Sequence, residues 1–145
     1  MKQQIIQAGQ GKDYDWSNDH VYVKTSVELT EGRVTVVEDT LKPGFDLARH
    51  YHKKMTEIFY VLEGSVTFEF DDSDGPDITT PGMVINIPPR VWHRVTSKSG
   101  AKLITVFTPG GFDQYLSEMA PLTAEEFADP ERMTALAEKY DSWMR

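Results

Sequence analysis

Gly44-Phe45-Asp46-Leu47-Ala48-Arg49-His50-Tyr51-His52-Lys53-Lys54-Met55-Thr56-Glu57-Ile58-Phe59-Tyr60-Val61-Leu62-Glu63-Gly64 is the stretch on which the reading of this chain turns. It places His50, His52 and Glu57 within eight residues. Imidazole and carboxylate are the ligands that borderline divalent metals such as Fe, Cu, Ni and Zn accept, and two histidines with one carboxylate is a set used by non-haem oxygenases. Side chains alternate along a strand, so His50 and His52 face one side and Glu57 has the opposite parity. A turn or bulge between His52 and Glu57 removes the mismatch, and Lys53-Lys54-Met55-Thr56 provides a polar connection to a following strand, Ile58 to Leu62.

Working outward, Pro43-Gly44 is turn chemistry ahead of the histidines. Upstream, Val21 to Val27 and Gly32 to Thr40 are rich in β-branched residues and read as strands, whereas residues 1–20 carry no clear pattern. Downstream, Ser65 to Phe70 alternates, with Val66, Phe68 and Phe70 on one face. The acidic run Asp71-Asp72-Ser73-Asp74-Gly75-Pro76 reads as a turn, because its spacing misses the calcium-loop pattern. Further short strands follow at Met83 to Ile87, Val91 to Thr96 and Lys102 to Thr108. Many short strands with helix signals only at the end indicate an all-β sandwich or small barrel, whose interior is filled by side chains or holds one small ligand.

After Pro109-Gly110-Gly111 the pattern turns helical. Thr123 with Glu126 forms a capping-box signature, and Asp129-Pro130 an N-cap with proline at the first helical position. Met133, Leu136, Ala137, Tyr140 and Trp143 recur at helical spacing and predict a face packed on the barrel or on a second copy, with no part in the chemistry.

The 145 residues suit one domain, with a barrel core at about 21–108 and a C-terminal helical segment at about 113–145. The absence of cysteine removes disulfides, thiolate metal sites and a cysteine nucleophile together. A formal charge of −8 opposes a nucleic-acid partner. No apolar run is long enough for a membrane span, and the N-terminus lacks a secretory h-region, so the expected location is the cytoplasm.

His93 stands about forty residues after His52, in Gly82-Met83-Val84-Ile85-Asn86-Ile87-Pro88-Pro89-Arg90-Val91-Trp92-His93. At this point the chain resembles the cupin superfamily. Gly44, five residues, His50, one residue, His52, four residues, Glu57, six residues and Gly64 match the first cupin motif, and Gly82, five residues, Pro88 and then His93 match the second. Arg90 stands where the second motif has glycine, and Ser97 where it usually has asparagine. If the turn at Arg90 needs φ > 0, the substitution costs of order 1 kcal/mol.

The resemblance implies an all-β jelly-roll barrel in which His50, His52, Glu57 and His93 point inward to one divalent transition metal (Fe, Ni, Mn, Co, Cu or Zn). Glu57 is also the candidate catalytic base for a metal-bound substrate hydroxyl. Inward-facing candidates include Phe59, Val61, Phe68, Val91 and Phe107 as an apolar pocket for substrate, together with Val66, Val95 and Leu103. His20 and the charges of Lys53, Lys54, Arg90 and Arg94 read as surface groups, and Trp92 turns away from the site. The leading functional expectation is an oxygenase similar to small bacterial quercetinase-like cupins, acting with O2 on an aromatic or enolisable small molecule, as a homodimer. The alternatives are an isomerase, cyclase or lyase using the ion as a Lewis acid, and a non-catalytic cupin that binds a small ligand or metal.

Overall fold

The computed structural model describes residues 2–144. Ten strands form two antiparallel sheets that face one another. The first sheet runs β1 (Lys12–Asp15), β2 (Asp19–Thr25), β3 (Thr35–Leu41), β10 (Ala101–Thr108), β5 (Thr56–Gly64) and β8 (Val84–Ile87) in that spatial order. The second runs β4 (Phe45–His50), β9 (His93–Ser97), β6 (Val66–Phe70) and β7 (Asp77–Thr79). Helices α1 (Val27–Thr30), α2 (Phe112–Met119), α3 (Ala124–Phe127) and α4 (Pro130–Lys139) complete the described residues.

Period-two burial is what makes these segments strands with an inner and an outer face. In β10 the buried residues are Ala101, Leu103, Thr105 and Phe107, in β9 His93, Val95 and Ser97, and in β5 Glu57, Phe59 and Val61. The inner ranks pack as two adjoining clusters. One, around Phe59, Val61, Phe68, Val95 and Leu103, closes the barrel, while the other, around Val21, Val37, Met55, Phe107 and Leu116, lies under the helices.

Several sequence expectations are refined here. Val27 does not extend the second strand: Ser26 accepts a hydrogen bond from the Leu29 amide and caps α1 instead. Residues 12–15 form an unforeseen first strand, anchored by buried Tyr14. Asp77–Thr79 forms a short edge strand beyond the acidic turn. The capping box of Thr123 and Glu126 and the Asp129 cap with Pro130 are both present. The helical register ends earlier than the sequence suggests, because α4 stops at Lys139 and Trp143 pairs in extended form with Tyr51.

Candidate metal centre

The centre begins with a bulge. Phe45, Asp46 and Leu47 of β4 stand opposite Ser97, Thr96 and Val95 of β9, and the next pair is His50 with His93. Three residues of β4 therefore match two of β9, so His50 rather than Arg49 joins Phe45 and Leu47 on the inner side. This bulge lies upstream of both histidines, so the parity change between His52 and Glu57 that the sequence calls for falls in the 53–56 connection. His52 follows the strand, and Glu57 starts the inner rank of β5.

His50, His52, Glu57 and His93 meet. Each offers one ligand atom, and these atoms lie within 4.8 Å of one another. All four residues are buried, with His93 wholly so. The backbone fixes which ring nitrogen faces the centre. Nδ1–H of His50 donates to the Ala48 carbonyl at 2.8 Å, that of His93 to Val91 at 2.9 Å, and that of His52 to Asp141 at 2.8 Å. Each Nε2 thereby faces the centre, the arrangement that orients a histidine ligand. Oε2 of Glu57 lies 3.0 Å from Nε2 of His52 and 3.1 Å from Nε2 of His93.

Three imidazole lone pairs and a carboxylate cannot satisfy one another, so the set requires a proton or a cation at its middle. Burial and the neighbouring His93 bring His50 down to about 4, keeping it neutral and able to ligate. Burial also opposes charge on His52, but its hydrogen bond to Glu57 and that carboxylate's charge outweigh burial and raise its pKa. Burial acts against the ionised form of Glu57, and the bonds from His52 and His93 overcome it, so its pKa lies below the usual carboxylate range. The residues thus fit a divalent ion of borderline character, held by three nitrogens and one oxygen.

The support for His52 comes from the end of the chain. Asp141, at φ 63°, turns the backbone after α4 so that its carbonyl meets His52. Its carboxylate accepts the amides of Lys53, Lys54 and Met55, each at 2.9 Å, and Trp143 exchanges two backbone hydrogen bonds of 2.9 Å with Tyr51. Lys53 lies over the Trp143 ring, 3.3 Å from its centroid. The C-terminal segment, expected to pack on the barrel and take no part in the chemistry, also holds the turn that carries His52. Nothing in the linear pattern of Asp141-Ser142-Trp143 signals this contact.

A cavity of about 450 Å³ opens from His50, His52 and Glu57, within the range of roughly 300–1,000 Å³ typical of small-molecule sites. Phe59, Val95, Leu103 and Phe107 line it, as do Phe112, Tyr115 and Leu116 of α2 and Ser142 and Met144 of the tail. Of the expected substrate residues, Phe59 and Phe107 are on the wall. Val61 and Phe68 are instead fully buried in the closed layer of the core, and Val91 packs against its edge, so none of these three lines the cavity. Arg94 pairs with Asp46 and Glu69 on an exposed face, and Trp92 packs on Tyr51 and Arg49. His20 sits on β2 and bonds Asp13 at 2.8 Å. Arg90 adopts φ 71°, and its amide donates to the His52 carbonyl, so the motif turn keeps its left-handed backbone despite the missing glycine.

The cupin domain family model matches residues 37–107. A quercetin 2,3-dioxygenase of Bacillus subtilis is 29% identical over 114 residues, 77% of this chain; the chain spans about a third of that relative, 33% of its length. Among solved structures, KdgF from Halomonas sp. superposes with a TM-score of 0.66 at 16% identity, covering 77% of this chain and 99% of its own. A protein from Planctomyces limnophilus reaches a TM-score of 0.65 at 19% identity, over 99% of this chain and 97% of its own, so the likeness takes in the helical tail. With the two matched motifs, the two facing sheets and the inward histidines, these likenesses place a cupin domain over residues 37–107 and give the chain the cupin fold.

Proposed function

We propose that this cupin is a metal-dependent oxygenase acting on a small aromatic or enolisable substrate with a hydroxyl that can ionise. The observation that carries the reading is the position of Glu57, a buried carboxylate beside two histidine Nε2 atoms at the inner end of a largely apolar cavity. The distant quercetin dioxygenase relative supports the same class of reaction.

His50, His52, His93 and Glu57 would hold the ion, which supplies a Lewis-acidic and, for Fe, Mn, Co, Ni or Cu, redox-capable centre. The protein's own part is then to bind, orient and deprotonate. Phe59, Leu103, Phe107 and Phe112 offer apolar walls to a planar ring and keep water away. Oε2 of Glu57, buried at the ligand cluster and ionised at neutral pH, is the group placed to take the proton of the substrate hydroxyl. His52, tied to Asp141 through Nδ1, keeps that oxygen in place from the other side. Among the described residues no helix is long and apolar enough to cross a membrane. A homodimer is part of the same proposal, supported by exposed Tyr60, Met83 and Val84 at the β5–β8 edge of the larger sheet; light scattering checks it.

The test is oxygen consumption by protein reloaded in turn with Fe, Mn, Co, Ni and Cu, offered flavonols, β-diketones and catechols. Uptake that is lost in Glu57→Gln, with metal content retained, is the expected result. No uptake with any loaded form refutes the oxygenase reading, and turnover that continues without oxygen assigns the ion to Lewis-acid chemistry instead.

A further inference from the structure

The buried serines and threonines among the described residues are Thr35, Thr79, Ser97, Thr105 and Ser142. Three of them are partnered. Thr35 Oγ1 donates to Oδ1 of Asp113 at 2.6 Å, Thr79 Oγ1 to the Val66 carbonyl at 2.8 Å and Ser97 Oγ to the Ser65 carbonyl at 2.8 Å. The hydroxyls of Thr105 and Ser142 have no partner among the described residues, and these two residues, unlike the other three, line the cavity beside the ligand cluster. Neither hydroxyl is sealed in, because the wholly enclosed side-chain polar atoms left without a partner among the described residues are Asp39 Oδ1 and Glu118 Oε2. A buried hydroxyl without a hydrogen bond is destabilising, and native interiors keep few. Here the unmade bonds lie on cavity surface, where a bound molecule can complete them.

The sheet fixes the place of Thr105 relative to Glu57. Thr105 belongs to the inner rank of β10 between Leu103 and Phe107, stands opposite Val37 of β3 and Phe59 of β5, and is 3% exposed. All four neighbours are apolar. A strand flanked on both sides gives an inward side chain no route to the outer surface, so the accessible part of this residue faces the cavity. Phe107 pairs with Glu57, which makes Thr105 and Glu57 diagonal neighbours on one inner face. Such neighbours stand roughly 7–8 Å apart, a gap that one six-membered ring with two oxygens meta or para to each other spans once a hydrogen bond of about 2.8 Å is added at the threonine. Oxygens ortho to each other fall short.

We propose that Thr105 is a substrate-positioning residue whose hydroxyl hydrogen-bonds a second oxygen of a ring substrate, meta or para to the hydroxyl that meets Glu57. A hydroxyl both donates and accepts, so that second oxygen is a phenol or a carbonyl. Phe59, Leu103 and Phe107 enclose the ring between the two polar ends. The inference rests on the proposed oxygenase reading only for the hydroxyl placed at Glu57.

Anaerobic calorimetric titration of zinc-loaded protein with phenol, catechol, resorcinol and hydroquinone tests it. Wild type should bind resorcinol or hydroquinone about five- to tenfold more tightly than phenol, the scale of one added hydrogen bond. Thr105→Val, alike in shape but without the hydroxyl, should bind these compounds and phenol alike, and Thr105→Ser should restore the preference. The ratio of catechol to phenol binding, set by two oxygens at the ion, should be the same in both proteins. Because the lost hydroxyl has no partner in the protein, metal-free Thr105→Val should melt at or above the wild-type temperature. Thr105→Ala takes over the binding comparison if the valine variant does not fold. The proposal is overturned by a preference that survives in the valine or alanine variant, by equal binding of phenol, resorcinol and hydroquinone to wild type, or by no binding of any of the four. A substitution that lowers only catechol binding, or a valine variant that melts below wild type, overturns it as well. Oxygen uptake by loaded wild type that lacks the preference removes this inference and leaves the oxygenase reading, and the preference without uptake does the reverse.

Discussion

Removing the grip of the chain terminus on the His52 turn tests how the centre is held, and the effect can be sized from the contacts. Asp141→Asn retains Oδ1, which accepts from the Lys53 amide and from Nε1 of Trp143, and retains a residue type that tolerates φ 63°. It replaces Oδ2, which accepts from the amides of Lys54 and Met55, with an amide nitrogen that cannot accept. Two charge-assisted bonds are lost. Such bonds contribute about 1.5–3 kcal/mol each when buried, and water recovers part of this at a half-exposed group, leaving about 2 kcal/mol for the pair. In a domain of this size about 1 kcal/mol moves Tm by roughly 2–4 °C, so the metal-free variant should melt roughly 4–8 °C below wild type.

The difference has a defined pH dependence. Burial acts to raise the Asp141 carboxyl, but the amides of Met55, Lys54 and Lys53 lower it below its ordinary value of 3.8. With the folded value below the unfolded one, the contribution is complete above the ordinary carboxylate range and is lost as pH falls through the folded value. The Tm gap between wild type and Asp141→Asn should be constant near neutrality and shrink on acidification. Ending the chain after Tyr140 goes further, since it removes the carbonyl that receives Nδ1–H of His52. Losses of this kind typically reduce metal affinity about 10–100-fold, measured by competition with a chromophoric chelator. Unchanged metal affinity in the truncated chain, or equal melting of wild type and Asp141→Asn, refutes the reasoning.

Three other outcomes follow from the same structure. Arg90→Gly relieves a left-handed backbone at an exposed turn, φ 71°, and should add about 1 kcal/mol by denaturant midpoint; a loss of stability would show that the arginine side chain outweighs its strain. Gly64→Ala sets a Cβ against the Gly100 carbonyl oxygen and 2.9 Å from the Ala101 Cα, in a backbone at φ 76°, and should cost about 2–4 kcal/mol; wild-type melting contradicts this. Zinc affinity should climb with pH through the neutral range, because Glu57 holds a proton on His52 that the ion must displace, while His50, at about 4, competes only in acid. Glu57→Gln should flatten that climb, and a pH-independent wild-type affinity argues against a protonated His52.

The ligand set was legible because motif spacing is local. His50, His52 and Glu57 lie on one strand, its exit and the start of the next, and alternation carried most of the inner rank of β5, β9 and β10. The bulge was not legible where it occurs, because it is defined by the register of β4 against β9 and not by the composition of either. β1 escaped notice since only Tyr14 of its four residues is buried, too little for a periodic signal. Alternation also says which residues face inward but not at what depth. It cannot separate Phe59 and Phe107, which reach the cavity, from Val61 and Phe68, which close the core beneath it. The α2 wall of the cavity depends on contacts between elements distant in sequence, to which short-range patterns are blind.

One structural requirement ties the motif to the tail. His50 and His93 each donate Nδ1–H to a carbonyl two residues earlier, a contact that extended backbone around a strand end provides by itself. His52 cannot use that solution, because the chain has already left β4 to turn toward β5 and bring Glu57 onto the inner side. The turn that makes Glu57 a neighbour of the histidines therefore deprives His52 of local support. Asp141, 89 residues away, restores it with a carbonyl for the ring and a carboxylate for the three amides of the turn. The histidine that contacts Glu57 most closely is thus the one whose orientation depends on the end of the chain, so changes in the tail should reach the proposed base through His52 before they reach His50 or His93.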